Sequence, residues 1–102
     1  MLNNMLMKWT FSDSLDVAVF TNKRIVGGGD WIQQVSHDSD DGAWQFHPAG
    51  GTSENEASVV SLKTIVEIDP SVISLADLPL GWQASRKSMN SEWQRLRKDR
   101  SG

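Results

Sequence analysis

The residues best suited to chemistry are two histidines and three aspartates that lie close together in the sequence: His37, Asp38, Asp40, Asp41 and His47. Imidazole and carboxylate groups can bind metal ions or transfer protons. Their spacing matches neither a zinc motif nor the calcium loop with its alternating acids, central glycine and distal glutamate. We therefore interpret the cluster as an acidic turn with histidines near the surface, and we predict no metal ligand there.

Other catalytic motifs do not occur in the sequence. The chain has no cysteine, which excludes a cysteine nucleophile, a thiolate metal site and a disulfide framework. Its serines lack a nucleophile elbow, and the triple glycine at 27–29 is not followed by the lysine and serine or threonine of a phosphate loop. We therefore predict a protein that is not an enzyme and that needs no cofactor.

The five tryptophans are the most informative residues for binding. Trp31, Trp44 and Trp82 each lie at an alternating position of a predicted strand beside other large side chains, which favours packing in the core. A small core seldom encloses five indoles, however, and tryptophan is enriched at the centres of protein interfaces. We predict that at least one tryptophan contacts a partner, with Trp93 as the first candidate and Trp82 as another.

Charge is divided unevenly along the chain. Residues 1–80 carry eleven acids against four bases, whereas residues 81–102 carry six bases against two acids. The net charge of −3 and a pI of about 5.2 disfavour a nucleic-acid partner, so we interpret the basic end as a solvated helix end. The acidic turn of Asp38, Asp40 and Asp41 would instead steer a basic protein surface towards the chain.

The length of 102 residues predicts a single domain, 1–102, with loose ends at about 1–10 and 97–102. In the N-terminal stretch, Asn3 and Asn4 interrupt the apolar residues, and the apolar run is too short for a membrane span or a signal peptide. We therefore expect a cytoplasmic protein that does not bind membranes.

Hydrophobic patterning predicts strands in three places. The β-branched and aromatic run from Leu15 to Thr21 is typical of a buried strand, and residues 31–47 alternate around a polar turn as a hairpin does. Another strand is predicted to begin at Trp82. Because the hairpin contributes two strands, these segments indicate a small antiparallel sheet of about four strands in an α+β domain.

Helices are predicted in two places, with one or two of them packed on one face of the sheet. Ser61 can cap a helix that ends near Ile68, with Leu62, Ile65 and Val66 on its apolar side. Residues 92–100 are predicted to form a short, mostly exposed helix.

Five residues are predicted to have structural roles: Trp44, Asp69, Pro70, Gly81 and Arg86. The Asp69-Pro70 pair should end the preceding helix, because proline lacks an amide donor and restricts the residue before it. The planar guanidinium of Arg86 suits a bidentate ion pair, and Asp69 is the predicted partner.

The stretch from Asp41 to Arg86 resembles a bacterial family of small proteins of unknown function that is grouped with the immunity proteins of polymorphic toxin systems. The resemblance lies in a D-G-x-W-x-F segment, a D-P-S segment after an apolar helix, and P-x-G-x-x-x-x-R. These motifs comprise Asp41, Gly42, Trp44 and Phe46, then Asp69, Pro70 and Ser71, and then Pro79, Gly81 and Arg86. The resemblance implies a cytoplasmic, non-enzymatic protein that binds and neutralises a cognate toxin.

Two alternatives from other classes remain open at this point. One is a small metal-dependent or unrecognised enzyme that uses His37, His47 and the aspartates. The other is a small-ligand or regulatory domain in which Trp44, Trp82 and Arg86 line a pocket.

Overall fold

A computed structural model describes residues 9–98 of the chain, so residues 1–8 and 99–102 lie outside the described part. The predicted loose ends fall mostly on those outer residues. Within the described part, the Trp9 ring lies 5.5 Å from that of Phe11, and the Lys98 amide donates to the Gly81 carbonyl at 2.7 Å.

The fold is α+β, built around one six-stranded mixed sheet. The strands are β1 (Ala18–Asn22), β2 (Gln34–His37), β3 (Trp44–His47), β4 (Ala57–Ser61), β5 (Trp82–Ser85) and β6 (Gln94–Arg97). Their order across the sheet is β4-β1-β3-β2-β5-β6. The β1–β3 pair is parallel and the other four pairs are antiparallel, so the sheet is larger than the predicted four strands and is not purely antiparallel.

The helices are short. They are α1 (Lys23–Val26), α2 (Leu62–Ile68) and two 3₁₀ helices at Glu54–Glu56 and Pro70–Leu75. Side chains cap three of the four, as their sequence positions favour. No helix within residues 9–98 is long and apolar enough to cross a membrane.

The caps explain where α2 and the following 3₁₀ helix begin. Ser61 accepts a hydrogen bond from the Thr64 amide at 3.2 Å, which confirms it as the N-cap of α2. Asp69 accepts from the Ser71 amide at 3.1 Å, with Pro70 at the first helical position. The chain therefore stops one helix and starts the next at the predicted Asp69-Pro70 step.

The core lies on one face of the sheet. Val19, Val35, Trp44, Phe46 and Ala84 are buried there, under the apolar sides of α2 and the Pro70–Leu75 helix. The helical residues that complete this core are Leu62, Ile65, Val66, Val72 and Leu75. The predicted apolar side of α2 and the predicted burial of Trp44 are confirmed.

The opposite side of the sheet, termed the open face, carries the alternate residues of each strand. One row crosses all six strands and consists of Val59, Phe20, Gln45, Ser36, Gln83 and Leu96. Its centre is polar, whereas Phe20, Val59 and Leu96 towards its ends are 45%, 58% and 60% exposed.

The predicted helix over residues 92–100 is wrong where the structure describes it. Residues 94–97 form β6, which pairs with β5 along its whole length. Only Trp93 and Leu96 are large and apolar in this segment, too few for an amphipathic helix, whereas the edge of β5 offers unpaired backbone groups. The edge strand β4 was also missed, since its polar and small residues lack a clear alternating pattern.

We expect Ile65→Ala to destabilise the protein by about 2–5 kcal/mol, because the Ile65 side chain is fully buried between α2 and the sheet. Lys63→Ala, on the exposed side of the same helix, should leave the denaturation midpoint nearly unchanged. Urea denaturation followed by tryptophan fluorescence measures both. Equal midpoints for Ile65→Ala and the parent would contradict this packing.

Candidate functional site

A buried arginine lies at the centre of the candidate site. The Arg86 side chain is only 2% exposed. Its Nε donates to the Ile32 carbonyl at 3.0 Å, its Nη1 to Ser71 Oγ at 2.9 Å and to the Met89 carbonyl at 3.2 Å, and its Nη2 to Asp69 Oδ2 at 2.5 Å. The predicted Arg86–Asp69 ion pair is therefore present, but it is not bidentate, because Nη1 bonds to Ser71 and Met89 and Asp69 Oδ1 accepts from Ser71. One cation joins three segments that are distant in sequence.

Asp69 neutralises this cation while it also caps the 3₁₀ helix. Its Oδ1 accepts from the amide and the hydroxyl of Ser71, at 3.1 and 2.7 Å, and its Oδ2 accepts from Arg86. Asp69, Ser71 and Arg86 thus form one hydrogen-bonded cluster.

Two tryptophan rings flank the guanidinium. The Arg86 Cζ lies 4.2 Å from the centroid of Trp93 and 5.7 Å from that of Trp31, both within cation–π range. Trp93 is half-buried, and its Nε1 is enclosed without a hydrogen-bond partner. The prediction that Trp93 is exposed on a tail helix is therefore wrong, because the ring packs over the arginine beside β6.

A groove of about 410 Å³ opens beside this cluster. Trp31 and Asp69 form part of its lining, with buried Ile32 at the base. Ile68 and Met89, which are 39% and 58% exposed, also line it. The groove therefore combines exposed apolar side chains with an aromatic ring and an acidic group.

Trp31 is the residue of this groove most suited to recognition. Its backbone amide donates to Asp30 Oδ1 at 2.9 Å, and Asp30 Oδ2 pairs with Arg24 at 3.3 Å, so the loop that carries the ring is fixed. The Trp31 indole Nε1 bonds to no other group among residues 9–98. Sequence reasoning placed Trp31 in a strand; its position directly after Gly-Gly-Gly-Asp was the signal for a loop.

One carboxylate of the acidic turn, that of Asp38, is already bonded to other side chains of the protein. Asp38 accepts from Gln45 Nε2 at 2.7 Å and from Ser36 Oγ at 3.3 Å, and it pairs with Lys98 Nζ at 3.7 Å. The Asp38 side chain is only 17% exposed. The hypothesis of three free steering charges therefore needs correction, because Asp38 already has internal partners.

The other two acids of the turn face solvent. Asp41 accepts from the Ala43 amide at 3.0 Å, and Gly42 adopts a φ of +74°, as a tight turn requires. Asp40 and Asp41 are both exposed and remain available to act on a partner at long range.

The two histidines lie on opposite faces of the sheet. His37 stacks on Trp44 at 3.8 Å on the core face and donates from Nδ1 to the Leu78 carbonyl at 2.7 Å. His47 pairs with Gln34 on the open face. The two imidazoles therefore cannot share a metal ion, and residues 9–98 contain no group of three or more His, Asp or Glu that could hold one.

The remaining tryptophans of the predicted site are used in packing. Trp44 is 2% exposed, donates from Nε1 to Asp13 Oδ1 at 3.1 Å and meets Phe11 edge to face. Trp82 is half-buried against the core, next to Gly81, whose φ of +85° disfavours any other residue. The pocket that the small-ligand alternative expected from Trp44, Trp82 and Arg86 is not formed by them, since Trp44 and Arg86 are enclosed.

A hydrogen-bonded chain on the open face fixes the tautomer of His47. Gln45 donates from its amide to Asp38, so its Oε1 must accept from His47 Nε2 at 2.8 Å. The His47 Nδ1 then accepts from Thr52 Oγ1 at 2.7 Å, and this hydroxyl accepts from Asn22 at 3.1 Å. In neutral His47 this arrangement places the ring proton on Nε2. Burial lowers the pKa of His47, Asp38 raises it and Lys98 lowers it, and the net result lies below the ordinary value of 6.5.

Comparison with known protein families, with curated proteins and with solved structures finds no match to this chain.

We expect Asp69→Asn to destabilise the fold by about 3–5 kcal/mol, because it leaves the buried Arg86 cation without a countercharge. Asp77→Asn is a matched control, since Asp77 pairs with Arg95 at 2.7 Å but is 80% exposed. Thermal and urea denaturation of both variants measures the contrast. Similar losses in the two variants would show that burial of the Arg86 pair does not matter.

We also expect stability to depend on pH through His47. The pKa of His47 is lower in the folded chain than in the unfolded chain. The contribution of His47 to the free energy of unfolding is therefore complete above pH 6.5 and is lost as the pH falls through the folded pKa. NMR titration of the His47 ring, combined with denaturation at each pH, tests this. A folded pKa of 6.5 or higher would contradict the neutral hydrogen-bonded state.

Proposed function

We propose that this protein is a non-enzymatic, immunity-type binding module that neutralises a cognate bacterial toxin by covering a surface the toxin needs. The proposal combines the family resemblance of the Asp41–Arg86 stretch with the groove beside Arg86. The single observation that carries it is Trp31, a half-buried indole on the groove whose N–H has no partner among residues 9–98. Aromatic side chains of this kind supply much of the binding energy at protein interfaces.

The groove is held in shape before a partner arrives. Arg86 bonds to the carbonyls of Ile32 and Met89 and to the carboxylate of Asp69, and all three residues line the groove. A site whose walls are fixed in the free protein loses little conformational entropy on binding. This supports rapid, tight binding of a protein surface rather than a site that must fold around its ligand.

The side chains that line the groove indicate which groups a partner must present to it. Ile68 and Met89 offer apolar contact area, and the Trp31 indole offers one hydrogen-bond donor. The Asp30 and Asp69 carboxylates already have cationic partners, Arg24 and Arg86. An apolar side chain next to a carbonyl or hydroxyl acceptor on the toxin would therefore satisfy the groove.

The acidic turn acts separately from the groove. Trp31 precedes β2 and Asp40 follows it, so the length of the strand, roughly 13 Å, separates them. That distance exceeds the Debye length of about 8 Å at physiological salt. Asp40 and Asp41 should therefore affect how fast a basic partner arrives, whereas Trp31 should affect how long it stays.

We expect Trp31→Ala to raise the dissociation rate of the toxin about tenfold or more, with little change in the association rate. Trp31→Phe, which keeps a ring but removes the donor, should give a smaller increase. The combined Asp40→Asn and Asp41→Asn variant should instead slow association at low salt and leave dissociation unchanged. The measurement is binding kinetics on a sensor surface against the product of the adjacent gene, at two salt concentrations.

Leu96→Ala serves as the control, because Leu96 is a large exposed residue at the far end of the open face. The association and dissociation rates of Leu96→Ala should equal those of the parent protein. If the adjacent gene product does not bind the parent protein, the proposed function is wrong. If it binds the parent and Trp31→Ala alike, the toxin contacts another surface.

A further inference from the structure

The two edges of the sheet are protected to very different degrees. The edge strand β6 carries Arg95 and Arg97 and is followed directly by Lys98. Charges of this kind prevent another strand from pairing with an edge. The opposite edge strand, β4, has the sequence Ala-Ser-Val-Val-Ser and contains no charge, no proline and no glycine.

The unprotected edge is also apolar on the open face. Val59, at the centre of β4, is 58% exposed and lies opposite Phe20 of β1, which is 45% exposed. The outer backbone groups of β4 face no other strand of the sheet. A free strand edge beside an exposed apolar pair offers both hydrogen bonds and buried area to an added strand.

We propose that a second copy of this chain pairs with β4, strand to strand and antiparallel, about a two-fold axis at Val59. The pairing continues the sheet from six strands into twelve. Val59 of one copy then lies opposite Val59 of the other, and Ala57 lies opposite Ser61. Each Val59 side chain packs on its counterpart, with the Phe20 rings on either side.

In this pairing, opposite charges next to β4 lie close to each other across the two copies. Two-fold pairing brings the start of β4 in one copy to the end of β4 in the other, so exposed Glu54, just before the strand, lies at the same end as Lys63, just after it, of the second copy. Glu54 has no ion pair within residues 9–98, and Lys63 is bonded only weakly, at 3.8 Å, to Glu67 of its own helix. Within the strands themselves no like charges are opposed, because β4 has none.

Two-fold pairing through β4 also limits the assembly to two copies of the chain. Pairing of β4 with β6 of another copy would leave a free β4 and a free β6 at the two ends, and the sheet would grow without limit. The bases of β6 oppose that outcome. The groove beside Trp31 involves neither β4 nor Phe20, so this dimer and the proposed toxin contact use different residues.

The absence of cysteine allows a direct test by cross-linking. In the proposed dimer the two residues at position 59 have Cβ atoms about 4.5–5.5 Å apart, close enough for a disulfide after small adjustments. Val59→Cys, treated with diamide, should therefore form a covalent dimer of twice 11.3 kDa. Leu96→Cys, on the same face with nearly the same exposure but on β6, should form no covalent dimer. Equal cross-linking of the two variants would overturn the proposal.

Light scattering after size-exclusion chromatography tests the dimer without a cross-link. The parent protein should have twice the mass of the chain at high concentration, Val59→Lys should have the mass of one chain, and Leu96→Lys should match the parent. A monomeric parent, a Val59→Lys variant that stays dimeric, or a mass that keeps rising with concentration would each overturn the proposal. Circular dichroism of Val59→Lys confirms that its fold is intact, as the exposure of Val59 leads us to expect.

Discussion

The buried cation of Arg86 is the interaction on which the arrangement of this protein depends. An arginine that is removed from water is tolerated only when its donors are satisfied and its charge is balanced. Asp69 provides the charge, and the carbonyls of Ile32 and Met89 and the hydroxyl of Ser71 complete the hydrogen bonds. The end of α2, the loop before β2 and the segment after β5 must therefore all be in place together, because each supplies a partner for the same guanidinium.

The candidate groove is a consequence of this constraint. Most of its lining comes from the three segments that Arg86 joins, and the Trp31 ring lies within cation–π range of the guanidinium, 5.7 Å from Cζ to the ring centroid. A hydrogen-bonded polar centre thus lies beside the apolar side chains of the groove. Asp69, Ser71 and Arg86 hold this centre together, whereas the side chains of Trp31, Ile68 and Met89 line the groove or its rim.

The two faces of the sheet differ in chemistry, one apolar and the other largely polar. One face is dry and covered by α2 and the Pro70–Leu75 helix, while the open face is held by hydrogen bonds between side chains. Antiparallel sheets commonly combine one buried and one solvated face. Hydrogen bonds through Asp38, Gln45, His47 and Thr52 connect the acidic turn to the loop before β4, so side chains order this polar face.

The sequence by itself determined the elements whose causes are local. The β2–β3 hairpin, the capped start of α2 at Ser61 and its stop at Asp69-Pro70 follow from turn residues, caps and apolar spacing. The planar cation of Arg86 predicts a carboxylate partner, but the fold brings Asp69 to it. Only the tertiary structure decided the parallel β1–β3 pair, the edge strands β4 and β6, and the groove beside Trp31. These features depend on contacts between residues far apart in the chain, which no local pattern encodes: β6 is a strand because β5 presents an edge to it, and Trp31 faces a groove because Arg86 holds the surrounding loops in place.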